Sequence, residues 1–449
     1  MKKDLFIPED VQNIIIRLNM EGYEAYVVGG CVRDSILGKE PKDWDITTNS
    51  LPHNTKALFD KTIDTGLKHG TVTVVINDEN YEITTYRIDG EYSDNRRPDR
   101  VEFTTSLKDD LSRRDFTINA LAYNPDLGIM DFFGGTEDLN KKVIRAVRNA
   151  DKRFKEDALR MLRAIRFSAQ LDFQIESNTL KAISENKDLI NNISPERIRD
   201  ELTKILVSPN PHKLLLLHDT GLLKFILPEF ENCIGVQQNN PYHMYNVCDH
   251  TISAVSNIDD DKILRWTMML HDIGKPITKS TDSSGIDHFY GHQKVSMDLS
   301  FNILKRLRFD NKSINIILKL VQYHDMTINR EDTSIKSALR IMGKELFFML
   351  LKVKEADMRA QNVIYLEPRL DELDKIKSLA EKIINANQCY NLDTLAINGD
   401  HLIELGVKHG KHIGIILNKL LDMVIESPEL NTYSKLCQIV RSKFIDFEK

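Results

Sequence analysis

Short runs of strand-forming residues are confined to the first 145 positions of this 449-residue chain: AYVV at 25–28, WDITT at 44–48, TVTVVI at 71–76 and YEITTY at 81–86. Runs of this length and composition read as strands, whereas helical spacing takes over beyond them. A chain patterned this way folds as an α/β head, a mixed sheet with helices, followed by a mostly α-helical body and tail. Val11, Ile14, Ile15 and Leu18 are spaced for one helix face, with Gly22 as its stop, so a helix precedes the first strand. The polar stretch from Arg87 to Arg100 is poor in strand formers and reads as a loop. Breaks at Ser208–Pro211 and at 239–241, and the glycines 399, 406, 410 and 414, divide the helical part. The expected division is a head over 1–145, a neck over 146–235, a body over 236–385 and a tail over 386–449. Roughly 150 residues per domain allows several cores in a chain this long.

Charge and cysteine usage exclude several classes. The 61 Lys plus Arg against 67 Asp plus Glu leave a net charge of −6, so any polyanion site is a local patch. Cys31, Cys233, Cys248, Cys389 and Cys437 are odd in number and form no CxxC pair, which argues against a disulfide framework and a thiolate zinc site. Acidic residues interrupt the N-terminus after Lys2 and Lys3, and no apolar run approaches the ~18 residues that span a bilayer. A cytoplasmic protein with no membrane partner is expected; the oligomeric state is left open.

Asp43 and Asp45 flank Trp44 at the start of a strand-like run, where alternate residues share a face. Two converging carboxylates suit Mg²⁺, which completes its shell with water and phosphate oxygens. Twelve residues upstream of Asp45, Arg33 follows Gly29 and Gly30, so that bare backbone N–H groups and a guanidinium face one anion. An alternative pairs Arg33 with Asp34. A phosphate cradle beside a metal pair describes nucleotidyl transfer.

The segment VVGGCVRDSILGKEPKDWDITT resembles the signature of polymerase β-like nucleotidyltransferases, in the version carried by class II tRNA nucleotidyltransferases. DLSRRDFTINALAYN (110–124) is similar to that family's ribose-binding motif, DFFGGTEDL (131–139) to its hinge motif and EDALRMLRAIRF (156–167) to its nucleotide-selecting helix. The resemblance implies template-independent addition of CCA to the tRNA 3′ end from CTP and ATP, with Asp43 and Asp45 as catalytic Mg²⁺ ligands. It assigns nucleotide binding to Gly30, Arg33, Arg114, Asp115, Asp157, Arg160, Arg163 and Arg166. Asp157 would accept from an exocyclic amine and Arg160 donate to a ring acceptor, a pair that admits cytosine and adenine. If 156–160 is helical, Glu156 reaches Arg160 at i,i+4 and steadies it. Glu82 is a candidate third acid, with a strand-face salt bridge as its alternative. Ten Lys or Arg against three acids from Lys141 to Arg166 give a local balance of +7, read as a basic strip for the tRNA acceptor stem, with Arg163 and Arg166 reaching phosphates. The 87–100 loop resembles the one that accompanies terminal A addition, and the tail is the expected tRNA contact.

A second constellation lies in the body: His250, His271–Asp272 and His324–Asp325, with MMLHDIGKP around the second. It resembles the HD phosphohydrolases, which implies a second metal site of His250, His271, Asp272 and Asp325, suited to a transition metal. His243, His288 and His292 leave the ligand set open. Three rivals remain: an A-adding enzyme or poly(A) polymerase, a metal-dependent phosphohydrolase acting on cyclic or terminal RNA phosphates, and a non-catalytic RNA-binding module.

Overall fold

The computed structural model describes residues 5–90 and 100–445. The chain divides into two compact units, Met1–Glu231 and Asn232–Lys449.

The first unit is built on a seven-stranded sheet. Its strands are β1 (Ala25–Val28), β2 (Ile46–Thr48), β3 (Thr62–Gly66), β4 (Thr71–Ile76), β5 (Glu79–Thr85), β8 (Leu121–Asn124) and β9 (Gly128–Asp131), while β6 (Arg87–Asp89) and β7 (Val101–Phe103) form a separate antiparallel ribbon. The sheet order is β3-β4-β5-β2-β1-β8-β9. The β2·β5 pair is parallel and its neighbours are antiparallel, so the sheet is mixed as expected. All four residues of β1 are buried, which fits a continuous apolar run at the sheet centre. The helix Glu9–Met20 buries Val11, Ile14, Ile15 and Leu18 on one stripe, the face its spacing predicts.

Two local expectations change. The first three residues of the 87–100 stretch form β6 and pair with β7 just beyond it, with Ile88 opposite Glu102; residues 91–99 of the loop reading lie outside the described residues. The strand expected over 44–48 begins at Ile46, so Asp43, Trp44 and Asp45 form its approach.

Among its described residues the second unit is helical apart from a two-residue ribbon, Ser280–Thr281 with Asp287–His288. Its hydrophobic cores include one that joins Leu320, Leu339, Phe347, Leu350 and Ile383 and another that joins Ile397, Leu402, Leu420, Val424 and Leu436. All five cysteines are buried, and none forms a disulfide. Among the described residues no helix is long and apolar enough to cross a membrane.

Candidate active site in the first unit

β1 ends at Gly29, whose backbone takes φ +86°, a region open mainly to glycine. A side chain there would be doubly excluded: a Cβ would lie 2.6 Å from Arg114 Nη1. The glycine thus lets the chain turn over the Arg114 guanidinium, whose Nε has no hydrogen-bond partner among the described residues. Enclosure by protein lowers the Arg114 pKa, while the charges of Asp110 and Asp45 pull it back up.

The Val28 N–H donates to the Asp45 carbonyl at 2.9 Å, which fixes the approach to β2 beside the β1 end. One cleft of about 550 Å³ then gathers Gly30, Arg33, Asp43 and Asp45, with Lys39 and Lys42 on its wall. Displacement of water by the surrounding protein raises the Asp45 carboxyl above its usual value; Arg114 opposes the shift and Asp43 adds to it. Glu82 is raised by the same desolvation and by Asp45 and Asp43, as the Ile46–Ile83 pairing sets it beside Asp45. Three carboxyl groups therefore repel one another at this end of the sheet, so hard oxygen donors and excess negative charge fit a divalent cation. The candidate third acid is part of the cluster.

Arg33 takes its alternative partner: Nε and Nη2 each meet an Asp34 carboxylate oxygen at 2.9 Å, and Nη1 donates to Asn119 Oδ1 at 2.6 Å. Asp115 is saturated by protein donors, namely Phe116 N–H (2.8 Å), Asn119 Nδ2 (3.0 Å) and Arg163 Nε and Nη2 (2.8 and 2.6 Å). Burial raises the Asp115 pKa, but Arg163 and Asn119 overcome it and hold the group well below the usual carboxylate range.

Residues 156–160 are not one helix. The helix Ala150–Glu156 ends, Asp157 is extended (φ −139°, ψ 102°), and a new helix runs Leu159–Leu171. The break has a local cause: Asp157 Oδ1 accepts from Leu159 N–H two residues on, an Asx turn that competes with continuous helix. Glu156 still meets Arg160, Oε2 to Nη1 at 2.8 Å, and also pairs with Arg153. Arg160 is further fixed by the carbonyls of Arg153 and Arg113, both at 3.1 Å. Asp157 Oδ2 turns instead to Arg197 at 3.0 Å, a partner that no spacing in the sequence indicates.

The basic strip is much weaker than its count. Among the described residues at least seven of its ten cations lie in ion pairs, several with acids outside the counted stretch, such as Glu137, Asp138 and Glu201. Arg163 and Arg166 do not reach outward: Arg163 is tied to Asp115, and the buried Arg166 meets Glu201 at 3.1 Å and stacks 4.2 Å over Phe167. Burial and the neighbouring Arg163 charge pull Arg166 down to about 10. Spacing by threes places these residues on one face, and that face points inward.

The Arg163–Asp115 tie carries a prediction. Arg163→Met strands a buried carboxylate and is expected to destabilise the first unit by about 3 kcal/mol at neutral pH. Because Asp115 is held low, its stabilising contribution is present above the unfolded value of about 3.9 and is lost as pH falls through the folded value. Without Arg163 the group titrates higher, so the gap between variant and parent should narrow as pH falls below about 4. Urea unfolding at pH 7 and pH 3.5 measures this, and an equal gap at both would remove the argument.

In the second unit, His250, His271 and Asp272 come together as expected, buried among helices. Asp325 does not join them; it is exposed and accepts from Gln293 Nε2 at 2.9 Å. The second carboxylate that meets the two histidines, beside Asp272, is Asp357, on the helix Lys344–Arg359, with Oδ1 2.9 Å from His250 Nε2 and 3.6 Å from His271 Nε2. His292 and His324 complete a second group around Asp272.

A mixed sheet that presents paired aspartates beside a glycine turn and a buried arginine defines a nucleotidyltransferase head, and the family of Poly A polymerase head domains matches residues 25–145. An RNA- and SrmB-binding site of polymerase A matches 172–234, and domain 2 of tRNA nucleotidyltransferases matches 291–440. A CCA-adding enzyme of Pediococcus pentosaceus is 36% identical over 421 residues, 93% of each chain. The chain belongs to the CCA-adding enzyme family. A CCA-adding enzyme of Lactobacillus gasseri is 53% identical over 210 residues, and the chain spans about half (53%) of that relative's length. The crystal structure of the Bacillus stearothermophilus CCA-adding enzyme in complex with CTP superposes with a TM-score of 0.74 at 28% identity, covering 98% of this chain and 100% of that one.

Proposed function

We propose that this chain adds CCA to the 3′ end of tRNA from CTP and ATP without a nucleic-acid template, in the cytoplasm. The observation that carries the reading is the single cleft that gathers Gly30, Arg33, Asp43 and Asp45 in a chain of this family. In the reaction the 3′ hydroxyl of the RNA attacks the α-phosphorus and pyrophosphate leaves. Asp43 and Asp45 would hold Mg²⁺, which polarises phosphate oxygens when bound. Arg33, Arg114, Lys39 and Lys42 give the triphosphate a positive wall, and Gly30 lets it approach the backbone. Arg160, fixed by Glu156 and two carbonyls, donates to a base acceptor, and Asp157 accepts from the exocyclic amine. Asp115, Arg163 and Arg166 position this machinery through their ion pairs.

The working division stays a head over 1–145, a neck over 146–235, a body over 236–385 and a tail over 386–449, supported by the separate cores on either side of residue 386. The His/Asp core of the body holds a transition metal, a reading supported by its imidazole and carboxylate donors.

Incorporation of labelled CTP and ATP into tRNA transcripts lacking CCA tests the function. Two C additions followed by one A, stopped by EDTA, are expected. Incorporation of ATP alone would make the chain an A-adding enzyme or poly(A) polymerase.

A further inference from the structure

The helix Leu107–Ser112 has six residues, too few to hold its place by its own hydrogen bonds. Tertiary contacts fix it instead. Leu107 and Leu111 are buried, and so is Asp110, whose side chain has no exposure to solvent. A buried carboxylate persists only where donors surround it. Asp110 finds them on β2, on β6 and just past its own helix. Its Oδ2 accepts from Thr47 Oγ1 at 3.2 Å, and its Oδ1 accepts from the Arg87 N–H at 3.2 Å and from Arg113 Nε at 3.0 Å, with Arg113 Nη2 at 2.9 Å. Thr47 lies two residues beyond Asp45, on the strand that the two cleft aspartates lead into. One carboxylate therefore pins the short helix to that strand.

The far end of the same helix faces the base-reading group. A helix leaves its last carbonyls without an intrahelical partner, at the negative end of its dipole. Two arginines take them here. The Ser112 carbonyl accepts from Arg153 Nη1 at 3.2 Å, and the carbonyl of Arg113, the capping residue, accepts from Arg160 Nη2 at 3.1 Å. Glu156 pairs with both arginines. Arg160 is thus placed by a helix end, and that helix end is placed by Asp110.

We infer that Asp110 is a positioning residue for base choice: by anchoring the helix Leu107–Ser112 to β2 it keeps the Arg113 carbonyl against Arg160, and its loss relaxes the preference for CTP and ATP over UTP and GTP. The inference rests on the transferase reading above and deepens it. Asp110 is fully buried, so it acts through the residues that it holds. Asp43 and Asp45 stay in place without it, and selectivity should suffer more than rate. Asp110 also favours the charge of Arg114, but a loss there falls on the triphosphate end and is common to all four nucleotides. Selective and uniform losses therefore separate the two routes.

The test uses the full chain. The ratio of kcat/KM for CTP over UTP is measured on tRNA transcripts that lack CCA, and the ratio for ATP over GTP on transcripts that end in CC. Asp110→Ala should lower both ratios by about tenfold, within what a two-point base contact is worth. Asp110→Asn should recover most of the loss: one oxygen still accepts from Arg87 and Arg113, and the amide can donate to Thr47 Oγ1, whose own proton has the Thr84 carbonyl at 3.2 Å. Arg160→Lys should lower the ratios by itself, and Asp110→Ala added to it should lower them no further, because both act at one guanidinium. Ile14→Ala, a core truncation on the helix Glu9–Met20, reports general destabilisation; it should lower Tm and leave both ratios as in the parent. Should Asp110→Ala fail to fold, Thr47→Val and Arg113→Lys carry the test, each weakening one contact to the carboxylate with about a threefold loss in the same ratios.

All four nucleotides slowed alike, with unchanged ratios, would overturn the inference and leave Asp110 to the Arg114 charge or to stability alone. An equal shift in Ile14→Ala, or a further tenfold fall in the double variant, overturns it as well. A parent chain that adds neither C nor A overturns the transferase reading and this inference together. A parent that adds CCA keeps the transferase reading whatever the Asp110 variants do.

Discussion

Asp45→Ala should lower incorporation of both CTP and ATP by on the order of 10³-fold or more while tRNA binding persists. Electrostatic stabilisation of developing charge is commonly the largest part of catalysis, and removing a single preorganised donor already costs about 10²–10³-fold. Here the substitution removes one of two aspartates at the cleft and also takes away charge that faces Arg114. Asp43→Ala should behave alike. Glu82→Gln should cost less, because its part in the cluster is read through its repulsion with the two aspartates and not through a shared cleft wall. Single-turnover incorporation, with tRNA affinity measured separately, checks all three. Transfer at the parental rate in Asp45→Ala would remove the aspartate from the chemistry.

Asp157→Ala should relax base choice with a smaller effect on rate. A well-placed two-point contact to a base edge is worth about 1–3 kcal/mol of discrimination, roughly 5- to 150-fold. In this variant UTP and GTP should gain on CTP and ATP by about that factor. The loss should be selective because Asp157 is held by Arg197 and not by the Glu156–Arg160 group, so its removal leaves Arg160 in place. Arg160→Ala should be more severe, since it removes the base-facing guanidinium and leaves Glu156 with Arg153 alone of its two cations. Ratios of kcat/KM for the four nucleotides decide the matter; unchanged ratios in Asp157→Ala would take that residue out of base recognition.

Much of the head and its cleft is legible in the amino-acid sequence alone. The β-rich runs mark the sheet, and the double glycine, Arg33 and the two aspartates mark the cleft, because local chemistry at short spacing survives folding. Where sequence and structure part, the physical source is largely shared. Spacing says which residues share a helix face but not which way that face points, so Arg163 and Arg166 read as surface cations and lie instead in ion pairs with Asp115 and Glu201. It is blind also to the Asx turn at Asp157, where a side-chain acceptor ends a helix that the pattern would continue. Asp357 escapes for a different reason. It lies 85 residues beyond Asp272 on another helix and carries no neighbouring motif, whereas Asp325 borrows plausibility from its neighbour His324.

The polar connection from Arg33 through Asn119 and Asp115 to Arg163 joins the triphosphate end of the cleft to the helix that begins beside Arg160. Each of its links is a hydrogen bond of 2.6–3.0 Å to a partner held on more than one side. Such a tether behaves as a ruler: it sets how far the phosphate wall stands from the base-reading guanidinium. On the proposed function, a nucleotide would be measured by span as well as by edge, and cytosine and adenine, which differ in size, would satisfy one fixed length by shifting within it. Lengthening any link, as Asn119→Gln would, changes the gauge without touching either end.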